Sequence, residues 1–197
     1  MKKINLYRFV ILGCCVALLT FASVSHTFGQ SNPTITTLPL RVNSNQSVIL
    51  PITGSMLVRS DNGIFTTLTT SGLVPGTVAT QWIAIFNTPA ACAANPCVPA
   101  DLDNPSVHGG LFYGGGRVIG VDGSATFSVF RAVGDTSGME RGTRALILPR
   151  TAEIHLVVRT HGVASTDPNV LTQQLTTFNG GCPPNTCSSI QISNHQQ

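Results

Sequence analysis

The sequence predicts an all-β fold, a single antiparallel β-sandwich with long loops and at most one short helix. From residue 48 onward, short apolar runs alternate with turn-forming residues at nearly regular spacing, which is typical of sandwiches and barrels. No long stretch shows the apolar period of an amphipathic helix. The 197 residues are 42% apolar and 10% charged, a composition that can form the core of one domain.

The N-terminus has the pattern of a secretory signal peptide over 1–25. Basic residues precede an apolar run, and small residues then offer a cleavage site after Ser25 or, as a second choice, after Gly29. The apolar run is shorter than the roughly 20 residues of a membrane-spanning helix. We therefore expect a secreted or periplasmic protein without a membrane span. The alternative is lipidation of Cys14, because residues 11–14 are similar to a lipobox.

The distribution of charge argues against nucleic acid as a partner. The net charge of +3 comes from Lys2, Lys3 and Arg8 in the leader, so the rest of the chain is neutral. No lysine follows the leader and the arginines do not cluster. Without a basic patch, neither nucleic acid nor an anionic membrane surface is expected as the main partner.

The segment over 26–47 predicts a flexible entry to the domain, which is expected to cover 48–197. It is polar and rich in threonine, and Pro33 and Pro39 interrupt any regular pairing.

Turn signals divide the domain into strands. The Asn-Gly pair at 62–63 predicts a first hairpin, and a run that is apolar on both faces predicts a central strand with Trp82 in the core. Asp167 before Pro168 predicts a two-turn helix. The predicted strands cover 56–59, 64–70, 80–86, 109–113, 117–121, 125–133, 151–160 and 189–192, with a second hairpin turn at Asp122–Gly123 and irregular segments at 87–107 and 134–150.

The strand over 152–161 carries the richest group of polar residues. Ile154, Leu156, Val158 and Thr160 alternate with Glu153, His155, Val157, Arg159 and His161, so one face is core and the other polar. The first interpretation is a solvated sheet face, partly covered by 109–116 and 134–150, with His161 exposed at the strand end. The alternative is an acid/base or anion site made by Glu153, His155 and Arg159.

Four cysteines follow the leader in two pairs of equal spacing, Cys92 with Cys97 and Cys182 with Cys187. Turn-forming residues separate the members of each pair, so local pairing is favoured over the other connectivities. A zinc site or a redox-active pair is the alternative, but this spacing is wider than such sites normally use and an exported protein meets an oxidising compartment. We expect two disulfides that shape loops.

No cofactor is predicted. Asp101 and Asp103 on the long loop, with His108 after them, are weak candidates for metal ligands because exported proteins can bind calcium through such oxygens. The loop lacks the central glycine and terminal glutamate of a helix-loop-helix calcium site.

Several sequence blocks together resemble a family of exported bacterial proteins of unassigned function. They are Leu-x-Pro-Gly at 73–76, Trp-x-x-x-Phe-Asn at 82–87, Ala-Glu-Ile-His-Leu-Val-Val-Arg at 152–159, and Phe-Asn-Gly-Gly-Cys-Pro-Pro-Asn at 178–185. The resemblance implies export and a shared fold. The turn at 72–76 and its following strand are also similar to chordin-type domains, but Gln81 and Trp82 stand where those have a His-Ile-His element, so metal chemistry is not implied.

These observations favour a secreted, non-catalytic module that interacts with an unknown protein or carbohydrate ligand in the envelope or outside the cell. The alternative is a small hydrolase or metal-assisted enzyme that uses Glu153, His155 and Arg159. A concave pocket that gathers these side chains, with His108, Asp101 or Asp103, would favour the enzyme.

Overall fold

The computed structural model describes residues 31–182 and 187–197, and the predicted signal peptide and Cys14 lie outside these residues. The described chain forms two stacked antiparallel sheets, which confirms the predicted all-β sandwich. Its strands are β1 Thr34–Leu38, β2 Arg41–Val42, β3 Asn45–Ile49, β4 Gly54–Ser60, β5 Gly63–Thr70, β6 Thr77–Phe86, β7 Gly109–Val118, β8 Ala125–Ala132, β9 Met139–Gly142, β10 Glu153–Val163 and β11 Ser188–His195. One helix, α1 Pro168–Thr176, and two 3-10 turns at Pro89–Ala91 and Pro99–Asp103 complete the described part.

One sheet has four strands in the order β1-β4-β5-β8, and the other has seven in the order β3-β2-β11-β10-β6-β7-β9. The core lies between them, because alternate residues of the facing strands are apolar and point inward. Leu57 and Leu68 from the smaller sheet meet Ile83, Ile154 and Leu156 from the larger one, and all five are fully buried. The two central strands of the larger sheet, β10 and β6, therefore have their inner faces in the core.

Local sequence signals identify several elements correctly. β4 and β5 form the predicted hairpin at the Asn-Gly turn, and β6 is central in its sheet, as its apolar sequence predicts. The helix α1 begins where Asp167 accepts a hydrogen bond from the backbone N–H of Asn169, at 2.8 Å, and Pro168 takes the first helical position.

The expected boundary at residue 48 differs from the structure. β1 pairs with β4 along its whole length, and β2 and β3 extend the larger sheet beyond β11. Leu40, between them, is fully buried in the core. The polar, threonine-rich sequence over 34–47 forms strands at or next to a sheet edge, which need only one apolar anchor.

The glycine-rich segment at 114–116 lies inside one strand, β7, although two strands were predicted. The register of β7 against β6 shifts beside Gln81, and Gly115 takes a φ of 141° there, a conformation that glycine accommodates easily. A Cβ on Gly116 would stand 2.1 Å from the carbonyl oxygen of Leu175, so the glycine lets helix α1 approach the sheet. These glycines permit a bulge and a close contact, where a turn was expected.

Two other connections differ from expectation. The turn at Asp122–Gly123 joins β7 of one sheet to β8 of the other, so it crosses the sandwich and closes no hairpin. The segment over 134–150, expected to be irregular, contributes the short edge strand β9, which pairs with β7.

Arg59 and His195 form a buried polar cluster on the inner faces of β4 and β11. Arg59 Nη1 donates to the carbonyl oxygen of Ala152 at 2.7 Å, and the ring of His195 lies 2.9 Å from Thr36 Oγ1 and 2.8 Å from Ser55 Oγ. Burial, reinforced by the charge of Arg59, lowers the pKa of His195 to about 4. Near neutral pH this histidine is therefore uncharged, and it ties the C-terminal strand to the smaller sheet.

Candidate functional site

The alternation predicted along β10 is confirmed, but its outer face is buried. Ile154, Leu156 and Val158 point into the core, while the outer residues Glu153, His155, Arg159 and His161 are 4%, 5%, 9% and 0% exposed. The interpretation of this face as a solvated surface is wrong. The cover comes from the loop between β6 and β7, from helix α1 and from the segment after it, and not from 109–116, which belong to β7 itself.

A depression in this face results from residue size along β6. Trp82, Ala84 and Phe86 follow one another on the outer face, so a methyl group lies between two large aromatic rings. In the register of the sheet Ala84 stands between Leu111 of β7 and His155 of β10. The space above Ala84 is part of a cavity of about 440 Å³. Its wall is mostly apolar and includes Phe86, Leu102, Leu111, Val157, Phe178 and Ile192.

The loop that carries the first cysteine pair forms one wall of the cavity. The Cα atoms of Cys92 and Cys97 lie 5.3 Å apart, at disulfide distance. The buried carboxylate of Asp101 accepts hydrogen bonds from the backbone N–H groups of Ala93, at 2.9 Å, and Val98, at 2.8 Å. Asp101 therefore fixes the shape of this loop.

Arg159 holds the opposite wall. Its guanidinium lies over the ring of Phe178, with Cζ 4.0 Å from the ring centroid, and its Nε donates to the carbonyl oxygen of the same residue at 2.6 Å. Its Nη2 donates to Asn179 Oδ1 at 2.7 Å. Burial lowers the pKa of Arg159. Arg159 thus positions Phe178, whose ring contacts Trp82 edge-on at a centroid distance of 5.1 Å.

Glu153 and His155 form a closely bonded pair. Glu153 Oε1 lies 2.5 Å from His155 Nε2 and accepts a second hydrogen bond, 2.8 Å long, from the backbone N–H of Cys97. Burial raises the pKa of Glu153, but the hydrogen bonds from His155 and Cys97 outweigh burial and leave the pKa below its usual value. His155 lines the cavity, and its ring packs against Phe86 with the centroids 4.9 Å apart.

The structure therefore separates the three residues of the predicted acid/base group. Glu153 and His155 share a hydrogen bond, whereas Arg159 lies four residues further along the strand, about 13 Å away at the rise of an extended chain. Among the described residues, the hydrogen-bond partners of its guanidinium belong to Phe178, Asn179, Cys187 and Ser189. Arg159 has a structural role beside the site.

His161 was expected to be exposed, and this expectation is wrong. β10 continues to Val163, and Gln174 of helix α1 donates to the carbonyl oxygen of His161 at 3.2 Å, so the helix covers the strand where it was expected to end. Trp82 Nε1 donates to Thr80 Oγ1 at 2.7 Å, and Thr80 Oγ1 lies 2.9 Å from His161 Nε2. Since burial lowers the pKa of His161, the neutral ring accepts from Thr80.

We expect His161→Ala to lower the free energy of unfolding by about 2 to 3 kcal/mol, because Thr80 loses a buried partner. His161 Nδ1 also lies 3.2 Å from the carbonyl oxygen of Gly180, which loses its partner as well. Denaturant unfolding measures the change. Val121→Ala, at a side chain that is 97% exposed, is the control and should change the value by less than about 0.5 kcal/mol. A loss below about 1 kcal/mol for His161→Ala would contradict the burial described here.

The weak metal candidates have separate structural roles. Asp101 caps its loop, Asp103 pairs with Arg141, and His108 takes a φ of 55° while its carbonyl oxygen accepts from Asn87. Among the described residues, the groups of three potential ligands within 4.8 Å of one another are His161 with Cys182 and Cys187, and Asp101 with Cys92 and Cys97. Each group contains cysteines at disulfide distance, and a disulfide sulfur is not the thiolate that binds zinc.

Both predicted cysteine pairs lie at disulfide distance, with the Cα atoms of Cys182 and Cys187 5.5 Å apart. Mass mapping of non-reduced peptides is expected to find Cys92 joined to Cys97 and Cys182 joined to Cys187. A peptide that joins Cys92 to either of the later two, or free thiols in the protein isolated under non-reducing conditions, would contradict this pairing.

Comparison with known proteins finds no family model, no curated protein and no solved structure that matches this chain. Within residues 31–182 and 187–197, none of the helical segments has the length and apolar character needed to cross a membrane.

Proposed function

We propose that this protein is a secreted, non-catalytic β-sandwich module that binds an apolar ligand in the cavity above Ala84. The observation that carries the proposal is the cavity itself, which is concave, largely apolar, and enclosed between two loops that a cysteine pair, Asp101 and Arg159 hold in place. Export is supported by the leader pattern at 1–25 and by cysteines at disulfide distance.

The dimensions and chemistry of the cavity fit a small molecule or one apolar side chain of a larger partner. Its volume of about 440 Å³ is within the range of roughly 300 to 1,000 Å³ of ligand pockets in proteins. Apolar residues dominate the wall, and a few polar side chains, among them His155, Arg141 and Ser189, interrupt it. Such a site gains affinity from apolar burial and orientation from a small number of polar contacts.

A second candidate function is ester hydrolysis, and the observation that favours it is the Glu153–His155 pair at the cavity wall. In this reaction His155 would take a proton from water, the resulting hydroxide would add to the ester carbonyl, and His155 would return the proton to the departing alcohol. Glu153 would keep the ring oriented. We favour binding because the wall is mostly apolar. A serine nucleophile is not offered either, because Ser189, the one serine among the described residues of the wall, accepts a hydrogen bond from Arg159 Nη1 at 3.3 Å.

Fluorescence titration with N-phenyl-1-naphthylamine tests the proposal on the oxidised protein. We expect saturable binding to the wild type and at least a tenfold loss of affinity in Ala84→Leu, because the added side chain fills the depression between Trp82 and Phe86. Val121→Leu adds comparable bulk outside the cavity and should bind like the wild type.

Equal binding by Ala84→Leu and the wild type, with both folded by circular dichroism, would contradict the proposal. Turnover of 1-naphthyl acetate by the wild type that disappears in His155→Phe would instead favour the hydrolase.

A further inference from the structure

We infer that the ligand of this cavity is an apolar alcohol or phenol, whose hydroxyl group donates a hydrogen bond to Nδ1 of His155. This inference rests on the proposed binding function and adds the chemical class of the ligand. It follows from the position of one proton on the His155 ring, which Glu153 determines.

Nε2 of His155 carries the proton of the ring. An ionised carboxylate can only accept hydrogen bonds, so the atom that lies 2.5 Å from Glu153 Oε1 must carry a proton. The backbone N–H of Cys97 donates to the same oxygen, and Gln196 Nε2 lies 3.4 Å from the other one. Donors therefore surround the carboxylate, and the lowered pKa of Glu153 agrees with an ionised group. The ring proton of His155 is held at Nε2.

Nδ1 is the other nitrogen of the same ring. In the neutral ring, whose one proton is at Nε2, Nδ1 has a free lone pair and acts as an acceptor. Nδ1 forms no hydrogen bond with any of the described residues. It is also not fully buried, because it is absent from the buried polar atoms that have no partner. His155 borders the cavity above Ala84, so the free acceptor belongs to the cavity wall. A ligand that enters this space loses water and replaces it best with a donor of its own.

The rest of the ligand would lie against apolar side chains. On the sheet side of the cavity, Leu111, Val157 and Ile192 provide apolar contacts, and Leu102 and Phe178 do so from the covering segments. The Nδ1 acceptor beside a largely apolar wall matches an apolar body with a hydroxyl group. A ligand of the same shape without the donor would leave Nδ1 without a partner, and affinity falls when a buried acceptor is left unpaired.

Isothermal titration calorimetry with three naphthalenes tests the inference. 1-Naphthol has the donor, 1-methoxynaphthalene has nearly the same shape without it, and 1-naphthoate is an anion. We expect the wild type to bind 1-naphthol about tenfold more tightly than 1-methoxynaphthalene, and 1-naphthoate most weakly.

The variant pair is Glu153→Gln and the double variant Glu153→Gln/His155→Phe. Glutamine keeps an acceptor for the N–H of Cys97 and for His155 Nε2, so the single variant should retain the preference for 1-naphthol. The double variant leaves no unpaired carboxylate and removes the acceptor. It should bind the two neutral ligands within twofold of each other.

The outcomes separate this inference from the proposed function. If none of the naphthalenes binds the wild type and N-phenyl-1-naphthylamine also fails, the binding function itself is wrong. Equal affinity of the wild type for 1-naphthol and 1-methoxynaphthalene would overturn the donor inference and leave the cavity as a binding site. Tighter binding of 1-naphthoate would overturn it too, because the cavity, whose wall includes Arg141, would then select an anion over a neutral donor.

Discussion

Replacing Trp82 with alanine is expected to lower the free energy of unfolding by about 3 to 5 kcal/mol, the usual cost of removing a buried tryptophan. The side chain is 1% exposed and packs edge-on against Tyr113 and Phe178, with ring centroids 5.6 Å and 5.1 Å away. Its Nε1 also donates to Thr80 Oγ1. The alanine variant therefore loses apolar contacts, leaves a cavity, and removes a donor from Thr80.

Denaturant unfolding followed by circular dichroism measures this loss. Trp82→Phe is the matched variant, because it keeps an aromatic ring and removes only the indole N–H and part of the volume, and it should lose less than half as much. A change below about 1 kcal/mol for Trp82→Ala would show that the outer layer of the larger sheet is loosely packed.

Glu153→Ala is also expected to cost about 3 to 5 kcal/mol, because two buried donors lose their acceptor at once. These donors are the backbone N–H of Cys97 and the ring Nε2–H of His155. Glu153→Gln keeps one acceptor oxygen and should cost less than half as much. Equal losses in the two variants would contradict the hydrogen-bond pattern, since only alanine removes both bonds.

The pH dependence of the free energy of unfolding gives a second test of the role of Glu153. Its pKa in the folded protein lies below the ordinary value of 4.5, so the unfolded chain binds the proton more readily. The stabilisation by the carboxylate is fully present above pH of about 4.5 and is lost as the pH falls through the folded-state pKa. The stability difference between the wild type and Glu153→Gln should therefore shrink in acid.

The sequence predicts those parts of the fold that short-range patterns determine. The Asn-Gly turn between β4 and β5 and the alternation along β10 are both local signals, and both agree with the structure. The prediction of a flexible entry segment differs from the structure because strands near a sheet edge need few apolar residues. The burial of Leu40 shows that this part belongs to the core. The prediction of two strands in place of β7 is wrong because a glycine triplet fits a bulge as well as a turn.

The candidate site could be predicted only in part. The alternation places Glu153 and His155 on one face, but whether that face is wet depends on chain segments far away in sequence. The bond from Cys97 to Glu153 spans 56 residues, and Arg159 reaches Phe178 across 19. In the sequence, the depression at Ala84 corresponds to a small residue between Trp82 and Phe86. This residue indicates a cavity only when the outer face is known to be covered.

Backbone amide NMR during titration with N-phenyl-1-naphthylamine tests the proposed binding site, because it locates the bound ligand. We expect the largest shift changes at Ala84, Leu111 and Val157, on the floor of the cavity. Phe65 and Phe130 pair on the outer face of the smaller sheet and are exposed, and their amides should not shift. Changes confined to that exposed pair, or no saturable change at Ala84, would contradict a ligand site beneath the loop that carries Cys92 and Cys97.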